Sequence, residues 1–366
     1  MVAAFWISAA FIAYIYAGYP ALLWLWVRAR PRRLAPAEPG QHRPAVSIVV
    51  AARNEGPRLA ARIDNLLQLD YPPARRQIVV VSDGSTDDTL AVLDRYRSVV
   101  DVVAVPAGGK ALALNAGVRR ARHDVLVFAD ARQVFAADVL IELTSPLRDS
   151  RIGAVTGELV LEGDSTIADG VGLYWRYEKQ IRRHESAIGS MLGATGAIYA
   201  MRRSLWRPLP ADTILDDVLA PMRAVLAGYR VVFTNRARAF DRTAPDAQAE
   251  ARRKVRTLAG NYQILWLEPG LLLPWRNPVW LQYLSHKIGR LLVPYALVML
   301  MAASIVLANR SMVYAAALLA QCAFYLLAGY GAWLDSKDAR TAGASLASQV
   351  VWHEGRPVNH VGAANA

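Results

Sequence analysis

The chain has 366 residues, 54% of them hydrophobic, with a formal charge of +12, one cysteine and six histidines. That length and a positive mean hydropathy accommodate one sizeable α/β domain together with membrane segments. A single cysteine excludes a disulfide framework, and histidines scattered without ligand spacing exclude a Cys/His zinc site. No basic, aromatic-interleaved RNA or DNA module accompanies the charge, so nucleic acid is not an expected partner.

Residues 1–27 carry no charged side chain and exceed the roughly 20 residues that a bilayer-crossing helix needs. The cluster Arg28, Arg30, Arg32 and Arg33 comes after this run, the reverse of a cleaved signal peptide, so the segment reads as a transmembrane helix with its N-terminus outside and the chain beyond Arg28 in the cytoplasm. Residues 28–44 read as a basic linker.

From residue 46 the pattern alternates: strands over 46–52, 77–82, 99–105, 125–129 and 153–161, with helices over 58–69, 87–97, 110–121 and 136–147 between them. Strands and helices in this alternation predict a mostly parallel sheet covered on both faces. A charged helix over 171–184, a Gly-rich loop over 189–196, a helix over 215–227 and a strand over 230–233 complete the domain, which is bounded at 45–257. Residues 258–290 mix Trp, Leu and Pro and suit a helix lying in the membrane interface. Two charge-free runs, 291–308 and 312–334, joined by Asn309-Arg310-Ser311, predict a transmembrane hairpin, with a cytoplasmic tail over 335–366.

Three strand ends carry polar groups. Val125 to Ala129 is an apolar run that stops at Asp130, and in open parallel sheets ligands bind beyond the carboxyl ends of the strands, so this acid points at a binding crevice. Asp83-Gly84-Ser85 follows the second strand and puts a carboxylate at the same edge. Each motif is equally compatible with an ordinary turn or helix cap. Lys110 and Asn115, on the helix opened by Gly108-Gly109, suit diphosphate and ribose, although a helix-start Lys is commonly just solvated. The glycines here lack the spacing of a P-loop, and no Gly-x-Gly-x-x-Gly follows the first strand, which argues against a nicotinamide dehydrogenase.

In order and spacing these residues resemble the membrane-integrated family 2 glycosyltransferases of GT-A fold, in particular those related to cellulose, hyaluronan and poly-N-acetylglucosamine synthases. The resemblance spans roughly residues 46–263 and rests on Ser47-Ile-Val-Val-Ala-Ala-Arg-Asn-Glu55, Ser82-Asp83-Gly-Ser-Thr-Asp87, Gly109-Lys-Ala-Leu-Ala-Leu-Asn-Ala-Gly117 and Leu215-Asp216-Asp217. It implies an α/β GT-A domain with transmembrane helices at both ends. The implied activity is inverting transfer of a sugar from a nucleoside-diphosphate sugar to a glycan or lipid-linked acceptor, at the inner membrane, for surface or exported polysaccharide. The alternatives are a monosaccharide transferase to polyprenyl phosphate and a catalytically inactive membrane nucleotide-sugar sensor.

Carried over by position, Asp217 is the expected general base, because inverting transfer needs a carboxylate to take the acceptor hydroxyl's proton. Asp216 reads first as a helix-start acid. Asp83, Lys110, Asn115, Asp130, Arg132 and Arg256 are the expected donor-binding residues, and Gly193, Thr195, Gly196 and Arg253 the acceptor-binding ones. The family's Asp-x-Asp stands here as Asp130-Ala-Arg132, so Mg2+ or Mn2+ would be held through Asp130, or Arg132 would neutralise the diphosphate in its place. The polymer synthases' Gln-x-x-Arg-Trp looks replaced by Arg253-Lys-Val-Arg256-Thr257, which lacks the acceptor-stacking Trp. The lipid bilayer is an expected partner, and with so few helices, export would call on partner membrane proteins.

Overall fold

The computed structural model describes residues 1–32, 43–162, 168–242, 247–331 and 333. In chain order its principal elements are α1 (Val2–Ala29), β1 (Val46–Ala52), α2 (Gly56–Leu67), β2 (Arg76–Asp83), α3 (Thr89–Asp94), β3 (Asp101–Val105), α4 (Lys110–Arg120), β4 (Val125–Asp130) and β5 (Val134–Phe135). There follow α5 (Val139–Thr144), β6 (Ile152–Glu162), α6 (Ala168–Ile188), β7 (Ile198–Arg202), α7 (Asp216–Leu226), β8 (Arg230–Arg242), α8 (Ala247–Leu267), α9 (Trp280–Arg310) and α10 (Met312–Gly331).

The strands form one sheet in the order β3-β2-β1-β4-β7-β6-β8-β5. The first four are parallel, and β7 then enters antiparallel to both β4 and β6. Beyond it β6 and β8 are again parallel and β5 lies antiparallel to β8, so the sheet is mixed. Side chains along β1 alternate between two cores, as the period of two requires. Ile48, Val50 and Ala52 meet Leu59, Ile63 and Leu66 of α2 and Leu140 and Leu143 of α5, while Val49 meets Ala111, Leu114 and Val118 of α4. On the second face Val218, Leu219, Met222 and Val225 bring α7 onto Leu126, Phe128 and Tyr199. Phe128 stacks on Tyr199 across the β4–β7 pair at 4.6 Å and on Trp206 at 5.0 Å, contacts worth about 1 kcal/mol each beyond their buried area. This packing brings the end of β4 and the start of α7 to the same edge of the sheet.

The described residues divide into two compact units: one of Phe11–Pro245 with Arg252–Pro294, and one of Met1–Ala10, Asp246–Ala251 and the chain from Tyr295 on. In the first, α1 carries a π-helical turn over Tyr14–Gly18 and α9 one over Tyr283–Ile288. The Tyr14 and Ser285 hydroxyls lie 2.8 Å apart, and Gly289 sits so close to Ile15 that a Cβ would fall 2.2 Å from its Cδ1. In the second, Phe5 packs on Tyr314 edge-to-face at 4.8 Å beside Ala303 and Leu307.

α1, α9 and α10 are each long and apolar enough to cross a membrane. One boundary differs from the expectation. The interfacial segment assigned to 258–290 divides into the end of α8, a short turn over Pro269–Leu272, and the opening of α9, which starts at Trp280. His286 and Arg290 interrupt the apolar pattern in sequence, but both are paired with glutamates of α6, so the helix continues through them. Most of the linker and all of the expected tail, 335–366, lie outside the described residues.

Candidate active site

β1 and β4 run in register, with Ala51 opposite Asp130, and β2 ends beside them at Asp83, so the polar strand ends converge at the carboxyl edge. Asp83 is buried and accepts backbone N–H bonds from Gly108 at 2.7 Å and Gly109 at 3.0 Å. A carboxylate so used clamps the loop that opens α4. Asp83 thus stands at the carboxyl edge with both oxygens turned to the Gly108-Gly109 backbone. The Asn115 amide donates to the Leu209 carbonyl at 2.8 Å and accepts from the Leu209 N–H at 2.9 Å, which ties α4 to the 206–210 segment.

The clamp aims Lys110 between two acids. Its Nζ lies 3.0 Å from Asp130 Oδ1 and 3.5 Å from Asp216 Oδ2. Burial alone would lower the Lys110 pKa, but Asp216, Asp130 and Asp217 together hold it above its ordinary value. Burial pushes Asp216 up to about 6; Lys110 opposes that shift, and Asp217 and Asp130 add to it. The adjacent-acid motif is thus more than a helix start: Asp216 faces the strand-end cluster, a role that sequence ranked below capping. Only its burial, which sequence does not display, separates the two.

Asp217 is held by the Gly-rich loop. Gly196 N–H donates to its Oδ2 at 3.0 Å, and Ala194 N–H donates to its backbone carbonyl at 2.7 Å. Gly193 adopts φ +123°, a conformation open mainly to glycine. A Cβ on Gly196 would sit 2.9 Å from Asp217 Oδ2, so that residue must be glycine for the carboxylate to dock. Thr195 donates its N–H to Thr156 Oγ1 at 2.9 Å, and its hydroxyl accepts from Arg182 at 3.3 Å. Gly193, Thr195 and Gly196 therefore form one loop around Asp217.

Arg132 does not join this group. Its Nη2 donates to Asp241 Oδ2 at 2.6 Å, and Gln133 Nε2 donates to the same oxygen at 3.0 Å. The Asp241 side chain is only 2% exposed. Glu142, on the following helix, pairs instead with Arg236 at 3.1 Å. Behind Asp130 lies Arg62, which sequence reading missed: it is buried, stacked over Phe135 at 4.0 Å, with burial lowering its pKa and Asp130 opposing. No local motif marks it, because α2 otherwise reads as an amphipathic helix.

Arg253 and Arg256 lie exposed on α8. Gly260 lets this helix approach the segment before α7, with Leu215 Cγ 2.5 Å from the position a Cβ would take, and Gln263 accepts from Ile214 N–H at 2.9 Å. Arg256 stands one turn before Gly260 on that face, and Arg253 one step further.

Among the described residues no three His, Cys, Asp or Glu side chains group as a metal site. Asp130 nevertheless fits a hard cation held jointly with a diphosphate: its side chain is 37% exposed, and its Oδ2 accepts no hydrogen bond among the described residues.

The chain is similar to known proteins. Residues 43–260 match the family described as Glycosyltransferase like family 2. A poly-beta-1,6-N-acetyl-D-glucosamine synthase of Staphylococcus epidermidis is 23% identical over 229 residues, covering 60% of this chain and 55% of that protein. The Staphylococcus aureus (strain COL) enzyme of the same description is 23% identical over 232 residues. The chain thus spans little more than half the length of these relatives. Among solved structures, a mannosyltransferase from Pyrobaculum calidifontis in complex with GDP-Man and Mn2+ superposes with a TM-score of 0.70 at 24% identity, covering 94% of this chain and 98% of that one. The fold is the GT-A fold, and the chain belongs to the glycosyltransferase family 2-like proteins.

Proposed function

We propose that the protein transfers a sugar from a nucleoside-diphosphate sugar to a hydroxyl of a glycan or lipid-linked acceptor, with inversion at the anomeric carbon, on the cytoplasmic side of a membrane. The observation that carries this reading is Asp217, fixed at one oxygen by Gly196 and with Oδ1 accepting no hydrogen bond among the described residues. A base held in this way is oriented before the acceptor arrives, so the reaction does not have to organise it. As the acceptor oxygen bonds to the anomeric carbon, the bond from that carbon to the diphosphate breaks and the hydroxyl proton passes to Asp217.

Lys110 and Arg256 supply positive charge on the donor side, where the departing diphosphate accumulates negative charge. When donor binds, Asp130 would share a divalent cation with the diphosphate oxygens, and the cation supplies charge neutralisation. The similarity to poly-beta-1,6-N-acetyl-D-glucosamine synthases and to a mannosyltransferase solved in complex with GDP-Man and Mn2+ supports this donor class. Three membrane-length helices support the location. A panel of UDP- and GDP-sugars, scored by nucleoside diphosphate release from the full-length enzyme in detergent, tests the reading. At least one donor should be turned over faster when acceptor is added, and release from none would overturn the assignment.

A further inference from the structure

The Gly-rich loop that holds Asp217 is itself held at one residue. Gly193 and Gly196 leave the backbone on either side of Thr195 free to take many conformations, so the loop can orient a carboxylate only if Thr195 is fixed from outside. Three groups do so. Thr156 Oγ1 accepts the Thr195 N–H at 2.9 Å and donates to the Ile198 carbonyl at 3.2 Å, and the Ile198 N–H donates to the Thr195 carbonyl at 2.8 Å. The third is Arg182 of α6, whose Nη1 donates to the Thr195 hydroxyl at 3.3 Å. The Thr195 carbonyl and the Gly196 N–H belong to one planar peptide, so whatever fixes Thr195 also sets the direction of the 3.0 Å bond from Gly196 to Asp217 Oδ2.

Of the three groups, only Arg182 comes from outside the sheet, and it is oriented in turn. Glu178, Arg182 and Glu185 share one face of α6 at spacings of four and three. Arg182 Nε lies 3.8 Å from Glu178 Oε1, an i,i+4 pair that by itself fixes little. The Glu178 side chain, however, is only 12% exposed, with His286 Nε2 3.0 Å from its Oε1 and Arg290 Nη1 donating to its Oε2 at 2.7 Å. His286 Nδ1 lies 2.7 Å from Glu185 Oε1, which also accepts from the Tyr19 hydroxyl at 2.7 Å. The arginine that reaches Thr195 therefore leans on a carboxylate tied to α9, and a continuous run of contacts joins that membrane-length helix to the loop around the base.

We propose that Arg182 is a positioning residue of the transfer reaction: through the Thr195 hydroxyl it fixes the 195–196 peptide, and so the orientation of Asp217, with Glu178 as its support. It acts through Thr195 rather than on the substrates. The inference rests on the reading of Asp217 as the base and adds to it the group that aims it.

Two readouts on the full-length protein in detergent test this, using wild type, Arg182→Gln, Thr195→Val, Thr195→Ser and the double variant Arg182→Gln with Thr195→Val. Arg182→Gln leaves Glu178 with His286 and Arg290, so it strands no carboxylate. The first readout is amide hydrogen exchange over residues 193–198 without donor or acceptor. Arg182→Gln and Thr195→Val should each speed it about tenfold, the size expected when one charge-assisted hydrogen bond is lost, while α4 exchanges as in the wild type. The second is acceptor-dependent release of nucleoside diphosphate from a donor that the wild type turns over. In both single variants kcat should fall about tenfold with donor KM nearly unchanged, and because the two groups act as one unit the double variant should fall no further. Thr195→Ser keeps the hydroxyl and should keep both the wild-type exchange and the wild-type kcat. Additive losses in the double variant would give Arg182 and Thr195 separate roles and overturn the proposal. So would a fall in kcat with unchanged exchange, faster exchange with unchanged kcat, or equal losses in Thr195→Ser and Thr195→Val. A wild type that turns over no donor would overturn the transferase reading instead, and the exchange result would still decide whether Arg182 anchors the loop.

Discussion

Gly196 and Asp217 are coupled by a single 3.0 Å hydrogen bond from backbone N–H to carboxylate, and the space that a side chain would need on Gly196 is filled by that carboxylate. Substitution here moves the base without touching the core. Gly196→Ala should lower kcat by about 10²-fold, the scale of an ångström-sized misplacement, with donor KM nearly unchanged. Steady-state kinetics of nucleoside diphosphate release checks this, and a normal kcat would separate the loop from the base.

Arg132 and Asp241 lead to a second expectation. Because Arg132 is paired with a buried acid, Arg132→Ala should cost stability on the order of 1 kcal/mol, a modest value because the arginine is half-exposed. Donor affinity should fall less than about threefold. Turnover should vanish in EDTA and return with Mg2+ or Mn2+. Full activity in EDTA, or a tenfold loss of donor affinity in Arg132→Ala, would return Arg132 to the diphosphate.

Asp216 makes a pH-dependent contribution whose sign is set by its raised pKa. Unfolded, the group titrates near its ordinary value of 3.8, and folded near 6. Between these values the folded state binds more protons, so the contribution of Asp216 to stability falls as pH rises through the window and levels off above it. The melting temperature of wild type minus that of Asp216→Asn should therefore decline from about pH 4 to about pH 6–7 and then stay flat. A difference that rises over the same range would mean that Lys110 outweighs burial.

Orientation is tested by labelling. With Cys322 replaced by Ser, a cysteine at Asn309 should react with an impermeant reagent from the outer side of intact cells, and one at Gly40 should not. The reverse pattern would separate the site from cytosolic nucleotide sugars.

The parallel half of the sheet was legible because β1, β2 and β4 are buried on both faces and carry apolar runs, 48–52, 78–81 and 125–129, ended by polar residues. β7 and β5 were not: Ile198–Arg202 is short, and Val134–Phe135 is two residues long and pairs with β8 far along the chain. In the site, residue types at strand ends were legible, but their partners were not. Asp83 and Asn115 have the donor and acceptor chemistry to bind a nucleotide, and their bonds to backbone groups of Gly108, Gly109 and Leu209 appear only once the folded loops bring those groups there. The pairing of Arg132 with Asp241, more than a hundred residues on, was hidden for the same reason.

The most direct measurement is acceptor-dependent release of nucleoside diphosphate by Asp217→Asn and by Asp216→Asn in the full-length enzyme, with donor binding measured alongside. The amide preserves size and accepts no proton, so Asp217→Asn should lose about 10²–10⁴ in kcat while binding donor as the wild type does. Asp216→Asn should chiefly alter donor affinity, because its partner is Lys110. Near-normal turnover by Asp217→Asn, with the loss appearing in Asp216→Asn, would contradict the assignment of Asp217 as the base.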